Sequence, residues 1–135
     1  MKPIIQIAGI IIWKSLIIEE GNMDELLQIL KLFEPVVDAS IIDNFDPASG
    51  ASGATGKVHD WEISRRLVEI SEKPVILAGG LNSENVFEAI LKVKPAGVDA
   101  HTGLENLDGW KDKNKCLKFI KEANRAFSVS LCLRG

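Results

Sequence analysis

Gly53-Ala54-Thr55-Gly56-Lys57-Val58-His59-Asp60-Trp61 decides the fold, read with the two stretches that answer it. These are Pro74-Val75-Ile76-Leu77-Ala78-Gly79-Gly80-Leu81-Asn82 and Val98-Asp99-Ala100-His101-Thr102-Gly103. In each, an apolar run gives way to small residues and a helical pattern follows. Glycine there lets the backbone approach a ligand closely. A helix N-terminus behind it offers unpaired N–H groups and a partial positive charge. Two or three such places side by side suit a phosphate. The plainer alternative, a set of turns between strands and helices, fits any one of them better than it fits all three.

Working outward, the chain reads as strand then helix, repeated. Lys2 to Ile12 is apolar nearly throughout and predicts a strand buried on both faces. Lys14 to Gly21 reads as a loop. Asn22 and Glu25 stand where a helix cap and its reciprocal partner would, and Leu26, Leu27, Ile29, Leu30 and Phe33 form the stripe that Pro35 ends. Val36 to Asp43 is the second strand. Asn44 to His59 is a long loop of a kind more often functional than decorative. Asp60 caps a helix with the stripe Ile63, Leu67, Ile70. Pro74 to Ala78 is the third strand, Gly79-Gly80 the turn, and Asn82 or Ser83 the cap of a helix through Val93. Val98 to Ala100 is a short fourth strand. A last helix near Lys111 to Ala126 carries Cys116, Ile120 and Ala123 on one side, and Ser128 to Gly135 reads as an apolar tail.

Such alternation implies an α/β fold with parallel strands and outer helices. An eight-unit barrel needs about 250 residues, and at least about 200. With 135 residues, the chain predicts a (βα)4 half of a TIM (βα)8 barrel over residues 1–127, with residues 128–135 as the tail. Four parallel strands leave two open edges, a liability.

Composition bounds the function. The net charge is -3 with no basic tract, so nucleic-acid binding has no electrostatic support. The N-terminal apolar run is interrupted by Gln6, lacks a small-residue cleavage site and is about half a membrane span. Export and membrane association are not expected. Cys116 and Cys132 have neither metal-ligand nor redox spacing and fit a reducing cytoplasm.

Four linked stretches carry a resemblance. Gly53 to Trp61, Pro74 to Asn82, Gly97-Val98-Asp99-Ala100-His101-Thr102-Gly103-Leu104-Glu105 and Gly109-Trp110-Lys111-Asp112 strongly resemble phosphoribosylanthranilate isomerase. That family shows Gly-Gly-Thr-Gly ahead of Phe-Asp-Trp, then Leu-Ala-Gly-Gly-Leu, Val-Asp-Val-Ser-Ser-Gly-Val-Glu and Gly-Lys-Lys-Asp. Order and spacing agree from about Ser40 to Ala126, matching the C-terminal half of the barrel, strands five to eight.

The resemblance implies an intramolecular sugar rearrangement in tryptophan biosynthesis. N-(5-phosphoribosyl)anthranilate, an aminoaldose, becomes an aminoketose without metal or organic cofactor. A general acid protonates the furanose ring oxygen, and a general base removes the proton from the second sugar carbon. Asp43 matches the acid, at a strand end where these barrels keep catalytic groups. It would need a raised pKa to hold its proton. Asp46 is its rival, because the family's spacing to Asp-Trp fits Asp46 better. The alternative for Asp43 is a loop cap or a lysine partner. Phosphate is expected between the last two loops, on the N–H groups of Gly79 and Gly80 and on His101, Thr102 and Gly103. His101 and Thr102 stand where the family has serines. Asp99 either orients the site or is a buried carboxylate bonded to backbone. Thr55, Gly56 and Asp60 shape the loop, and His59, in place of the usual Phe, packs.

The general base has no counterpart. Neither cysteine matches the family's Lys-Ile-Cys-Gly motif. Gln6-Ile7-Ala8-Gly9 echoes it with Ala8 in the cysteine's place, a coincidence given that the following elements read as the fifth and sixth units. The arginine that holds the anthranilate carboxylate belongs to the other half as well. Three readings compete: an isomerase fragment inactive alone and missing its N-terminal half, a homodimer of half barrels, and a non-catalytic phosphosugar-binding or interaction protein. Fold alone cannot choose among them.

Overall fold

A computed structural model describes residues 9–46, 51–52 and 58–134. The expected strand over Lys2 to Ala8, the Gln6-Ile7-Ala8 echo, and Thr55 and Gly56 lie outside them.

Among the described residues, five strands and four helices order the chain: β1 (Trp13–Ile18), α1 (Met23–Phe33), β2 (Ala39–Asp46), β3 (Ala51–Ser52), α2 (Val58–Ile70), β4 (Val75–Leu77), α3 (Val86–Val93), β5 (Gly97–Val98) and α4 (Lys113–Arg134). Strands β1, β2, β4 and β5 are neighbours in that order. All three pairings are parallel, with Ile17 beside Asp43, Ile41 beside Ile76 and Ile76 beside Gly97. Chain order therefore equals sheet order, and each step crosses over a helix. Short β3 folds back antiparallel on the far end of β2, inside the stretch expected to be structureless.

Burial alternates along the strands with period two, as a pleat requires. Leu16, Ile18, Ile42, Val75 and Leu77 are buried, whereas their neighbours Ile17, Ile41 and Ile76 are half-buried. The buried set packs on helices in two clusters. One joins β1, β2 and α1 through Leu16, Ile18, Leu26, Leu30 and Ile42. The other joins β4, α3 and α4 through Leu77, Val86, Ile90, Phe119 and Ala126. Helix α2 serves both, through Leu67 and Trp61. Coverage of one sheet face by helices is the wall of a barrel, whereas a doubly wound sheet is covered on both.

Several expectations need correction. The first strand among the described residues is β1, which from Lys14 onward falls in the segment read as a loop. Ile10 and Ile11 are 53% and 74% exposed, so the isoleucine run is not wholly buried. The misleading residue is Lys14. Its position faces the helices, yet its ammonium lies 4.7 Å from the centre of the Phe33 ring, so stem and charge are both accommodated. Asn22 makes no forward cap. Its side chain bonds backwards, accepting from Glu19 N–H at 3.0 Å and donating to the Ile17 carbonyl at 2.9 Å. Helix α2 starts at Val58, so Asp60 is inside it rather than before it. The buried line of α2 is Trp61, Ser64 and Leu67, with Ile70 43% exposed. Helix α4 buries Phe119, Ala123, Ala126 and Ser130 and leaves Ile120 exposed. It also runs on through Ser128 to Arg134, where a tail was expected. Among the described residues no helix is long and apolar enough to cross a membrane.

Candidate functional site

The expected site residues gather beyond the C-terminal ends of β2, β4 and β5. The ladder between β2 and β4 ends at Ile42 beside Leu77, and Ala78 N–H closes it by donating to the Ile42 carbonyl at 2.8 Å. Asp43 is the next residue, half-buried on the face that carries no helix. Its Oδ1 accepts the Asn44 backbone N–H at 2.8 Å. Burial pushes its carboxyl above the ordinary carboxylate range, and the Asp99 charge adds to this against the opposing Asn44 hydrogen bond. A carboxyl so placed keeps its proton to higher pH, as a general acid must.

Gly79 lies directly against it. A Cβ there would come 2.9 Å from Asp43 Oδ1 and 3.0 Å from Asn44 N, and its φ is +92°. Space and backbone conformation both demand glycine. Gly80 follows with φ +63°. Two asparagines hold the turn. Asn82 Oδ1 accepts from Glu84 and Asn85 N–H at 2.9 and 3.0 Å, and Asn85 Oδ1 accepts from Asn82 N–H at 2.8 Å. Asn85 Nδ2 also donates to the Gly80 carbonyl at 2.9 Å. This is the reciprocal logic of a capping box with asparagine in both seats. Asn85 was missed, although the Asn-x-x-Asn spacing is visible in the sequence.

The third element is the loop after β5. Asp99 N–H donates to the Leu77 carbonyl at 2.9 Å, but the residue is exposed, which removes the buried-carboxylate alternative. A one-turn 3-10 helix, Thr102–Leu104, follows His101. Gly103 packs on the neighbouring turn: a Cβ there would fall 2.1 Å from the Leu81 carbonyl oxygen. The two loops thus touch through backbone. Among the described residues, the N–H groups of Gly79, Gly80, Thr102 and Gly103 meet no backbone acceptor. The two abutting loops thus carry four N–H groups without a backbone acceptor.

A charged lattice that sequence reading missed braces this loop. Glu105 Oε1 accepts from Lys111 Nζ at 2.9 Å and lies 3.1 Å from His101 Nδ1. Lys111 Nζ also donates to the His101 carbonyl at 2.7 Å, and Lys115 Nζ to the Glu105 carbonyl at 2.6 Å. The Lys111 hydrogen bond, followed by the His101 imidazole, holds the Glu105 carboxyl below its ordinary range.

All the expected site residues, Asp43, Gly79, Gly80, Asp99, His101, Thr102 and Gly103, lie on this one rim. The side chains of the rival Asp46 and of His59 and Asp60 are outside the described residues. Cys116 and Cys132 both sit on α4, and no metal-binding cluster of His, Cys, Asp or Glu exists among the described residues.

Comparison with known proteins agrees with this geometry. The family model described as N-(5'phosphoribosyl)anthranilate (PRA) isomerase matches residues 4–122. A relative from Methanosarcina mazei, N-(5'-phosphoribosyl)anthranilate isomerase 2, is 50% identical over 102 residues, covering 76% of this chain and 45% of its own length. The crystal structure of the Thermotoga maritima phosphoribosyl anthranilate isomerase superposes with TM-score 0.69 and 30% identity, over 86% of this chain and 52% of that one. Another solved isomerase, in complex with reduced 1-(o-carboxyphenylamino)-1-deoxyribulose 5-phosphate, matches with TM-score 0.63 and 28% identity over 85% of this chain and 49% of that one. The chain therefore spans about half the length of the relatives it matches. By its motifs, its one-sided parallel sheet and these matches, this chain belongs to the N-(5'-phosphoribosyl)anthranilate isomerase family.

Proposed function

We propose that this chain supplies the general acid and the phosphate cradle of an N-(5'-phosphoribosyl)anthranilate isomerase of tryptophan biosynthesis, and that it turns over only when a second (βα)4 unit completes the barrel wall. The observation that carries the reading is Asp43. Its carboxyl is raised by burial and by Asp99 and lies against the glycine turn that offers free N–H donors.

In this reading the substrate phosphate lies on the N–H groups of Gly79, Gly80, Thr102 and Gly103. Asp43 gives its proton to the furanose ring oxygen as the bond from that oxygen to the anomeric carbon breaks. The nitrogen lone pair of the substrate forms the iminium. A base then takes the proton from the second sugar carbon, and the electrons move to give the enamine, which becomes the aminoketose. The residues described at the rim include no thiol to act as that base. The completing unit supplies it, together with a cation for the anthranilate carboxylate. Phosphorylated sugar is the expected ligand. A second copy of this chain would close the edges but would bring the same residues again.

The test is turnover of N-(5'-phosphoribosyl)anthranilate by the chain alone and mixed with a separately made N-terminal half of the Methanosarcina mazei relative. Activity in the mixture only, abolished by Asp43→Ala, is the expected result. Activity of the chain alone would overturn the need for a second unit. A mixture that remains active with Asp43→Ala would overturn the role of Asp43.

A further inference from the structure

Asn44, buried near the end of β2, sits where the acid and the glycine turn meet. Backbone N–H groups of β2 point toward β4 at every second residue, as the pleat requires. Ser40 N–H donates that way, to the Pro74 carbonyl at 2.9 Å. The same parity puts Asn44 N–H on the β4 side. But β4 ends at Leu77, and the ladder with it. The donor that would have lengthened the ladder turns to Asp43 Oδ1 instead, at 2.8 Å. Gly79, in the turn after β4, stands close by. A Cβ on it would lie 2.9 Å from Asp43 Oδ1, 3.0 Å from Asn44 N and 3.0 Å from Asn44 Nδ2. Both nitrogens of Asn44 and one carboxyl oxygen of Asp43 therefore crowd around a single α-carbon. Asn44 is 3% exposed. An apolar side chain would fill its place without the cost of burying an amide. The carboxamide places a second N–H donor beside that α-carbon.

We infer that Asn44 is a positioning residue that holds Asp43 Oδ1 as an acceptor against Gly79, so that the transferable proton resides on Oδ2 and the substrate's ring oxygen is protonated from that side. The inference rests on the reading of Asp43 as the general acid. An N–H group prefers the carbonyl oxygen of an un-ionised carboxyl, because the hydroxyl oxygen is the poorer acceptor. With Oδ1 so held, the proton is left to Oδ2. In the step itself the Oδ2–H bond breaks, an O–H bond forms at the furanose oxygen, and the bond from that oxygen to the anomeric carbon breaks. Asp43 is left as a carboxylate. The Asn44 N–H bond then becomes charge-assisted, so it stabilises the carboxylate that forms more than the acid that was there. This bond opposes burial: burial keeps the proton on, and Asn44 eases its departure. Among the described residues, the charge that adds to burial is that of Asp99, from the β5 end. Ile17 is the neighbour of Asp43 on β1 and Gly79 faces it from the turn after β4. Neither of these two brings a titratable group.

The experiment has two arms. In the first, the full chain is isotope-labelled at nitrogen and at the aspartate carboxyl carbons and followed by NMR as pH is raised. Asp43→Asn identifies the Asp43 signal. The backbone and carboxamide protons of Asn44 should both move downfield as Asp43 ionises, with the midpoint of its carboxyl carbon. Asn44→Leu, which keeps the branched shape, should raise that midpoint, because a donor to the carboxylate is lost. Asn44 amide protons that stay still while Asp43 titrates, or an unmoved midpoint in a folded Asn44→Leu chain, would overturn the role of Asn44 and leave Asp43 as the acid. If Asn44→Leu does not fold, the amide protons of the unaltered chain decide by themselves. In the second arm, Asn44→Leu is mixed with the N-terminal half of the Methanosarcina mazei relative. There kcat should fall about tenfold or more while KM changes little, and the alkaline limb of the kcat profile should move to higher pH with the Asp43 midpoint. An unchanged kcat, or a rise in KM alone, would overturn the inference. Turnover that survives Asp43→Ala, or none from the unaltered mixture, would overturn the reading of the acid and this inference with it.

Discussion

Asp43, Gly79 and Gly103 show how closely the rim is built. Asp43 has a raised pKa in the folded chain, so its protonated form is the one that folding favours. Its stabilising contribution is complete below the unfolded pKa and is lost as pH rises through the folded pKa. Asp43→Asn should therefore raise the melting temperature at neutral pH, with the gain vanishing toward pH 3, while removing isomerase turnover in the completed barrel. Thermal melts at both pH values check this. Gly103→Ala should cost about 1–3 kcal/mol, because its methyl would meet the Leu81 carbonyl oxygen at 2.1 Å and backbone cannot swing aside as a side chain can. It should also abolish sulfate binding by separating the two loops. Asn85→Ala is the gentler variant. It removes the bond to the Gly80 carbonyl and should cost about 1 kcal/mol with weakened, not absent, anion binding. Denaturant melts and ion titrations distinguish the two.

At the scale of the element, α4 is the instructive case. Its buried line, Phe119, Ala123, Ala126 and Ser130, follows helical spacing past the point where the apolar tail was expected to begin. The sequence from Ser128 onward contains serines, valine, leucines and cysteine, which have little helical signature by themselves. What keeps the helix going is burial of one face, which supplies most helix stability in proteins. Deleting residues 128–135 should thus lower both the helical circular-dichroism signal and stability, by about 1–2 kcal/mol, as Ser130 is buried. If the segment were an unpacked tail, the melting temperature would not move. Strand β1 carries the matching lesson. Leu16 and Ile18 alternate as a strand should, but Lys14 and Ser15 before them look like loop, and only the Phe33 ring beneath Lys14 makes that strand position acceptable.

For the whole molecule the two faces of the sheet are the issue. Adjacent Ile41 and Ile42 on β2 point to opposite sides. Ile42 is 0% exposed beneath the helices, whereas Ile41 is half-buried on the helix-free face, beside Ile76. Ile42→Ala should cost about 2–5 kcal/mol. Ile41→Glu should change the stability of the chain alone by much less, yet prevent activity on mixing with a second (βα)4 unit, because a charge would enter the closed barrel interior without a partner. Melts of the chain and turnover of the mixture provide the two readings.

What the sequence by itself determined was the order of units, the parallel sheet and the location of the rim. Strand-helix alternation permits few topologies, and glycine pairs after apolar runs mark turns that larger residues cannot make. The end of the apolar run at Asp43 and the Gly79-Gly80 turn were legible in that way, whereas their assignment to a site, with His101, Thr102 and Gly103, came from the resemblance. What only the tertiary structure decided was register, burial and partnership. The isoleucine run at the N-terminus looks more strand-like than Trp13 to Ile18, but the register is set by which side chains reach α1. Asp99 is exposed because β5, the last strand of the sheet, has no neighbour beyond it among the described residues. The contacts of Glu105 with His101 and Lys111, and the bond from Asn85 to the Gly80 carbonyl, depend on where the chain returns in space. No local pattern of hydrophobicity or charge encodes such distances.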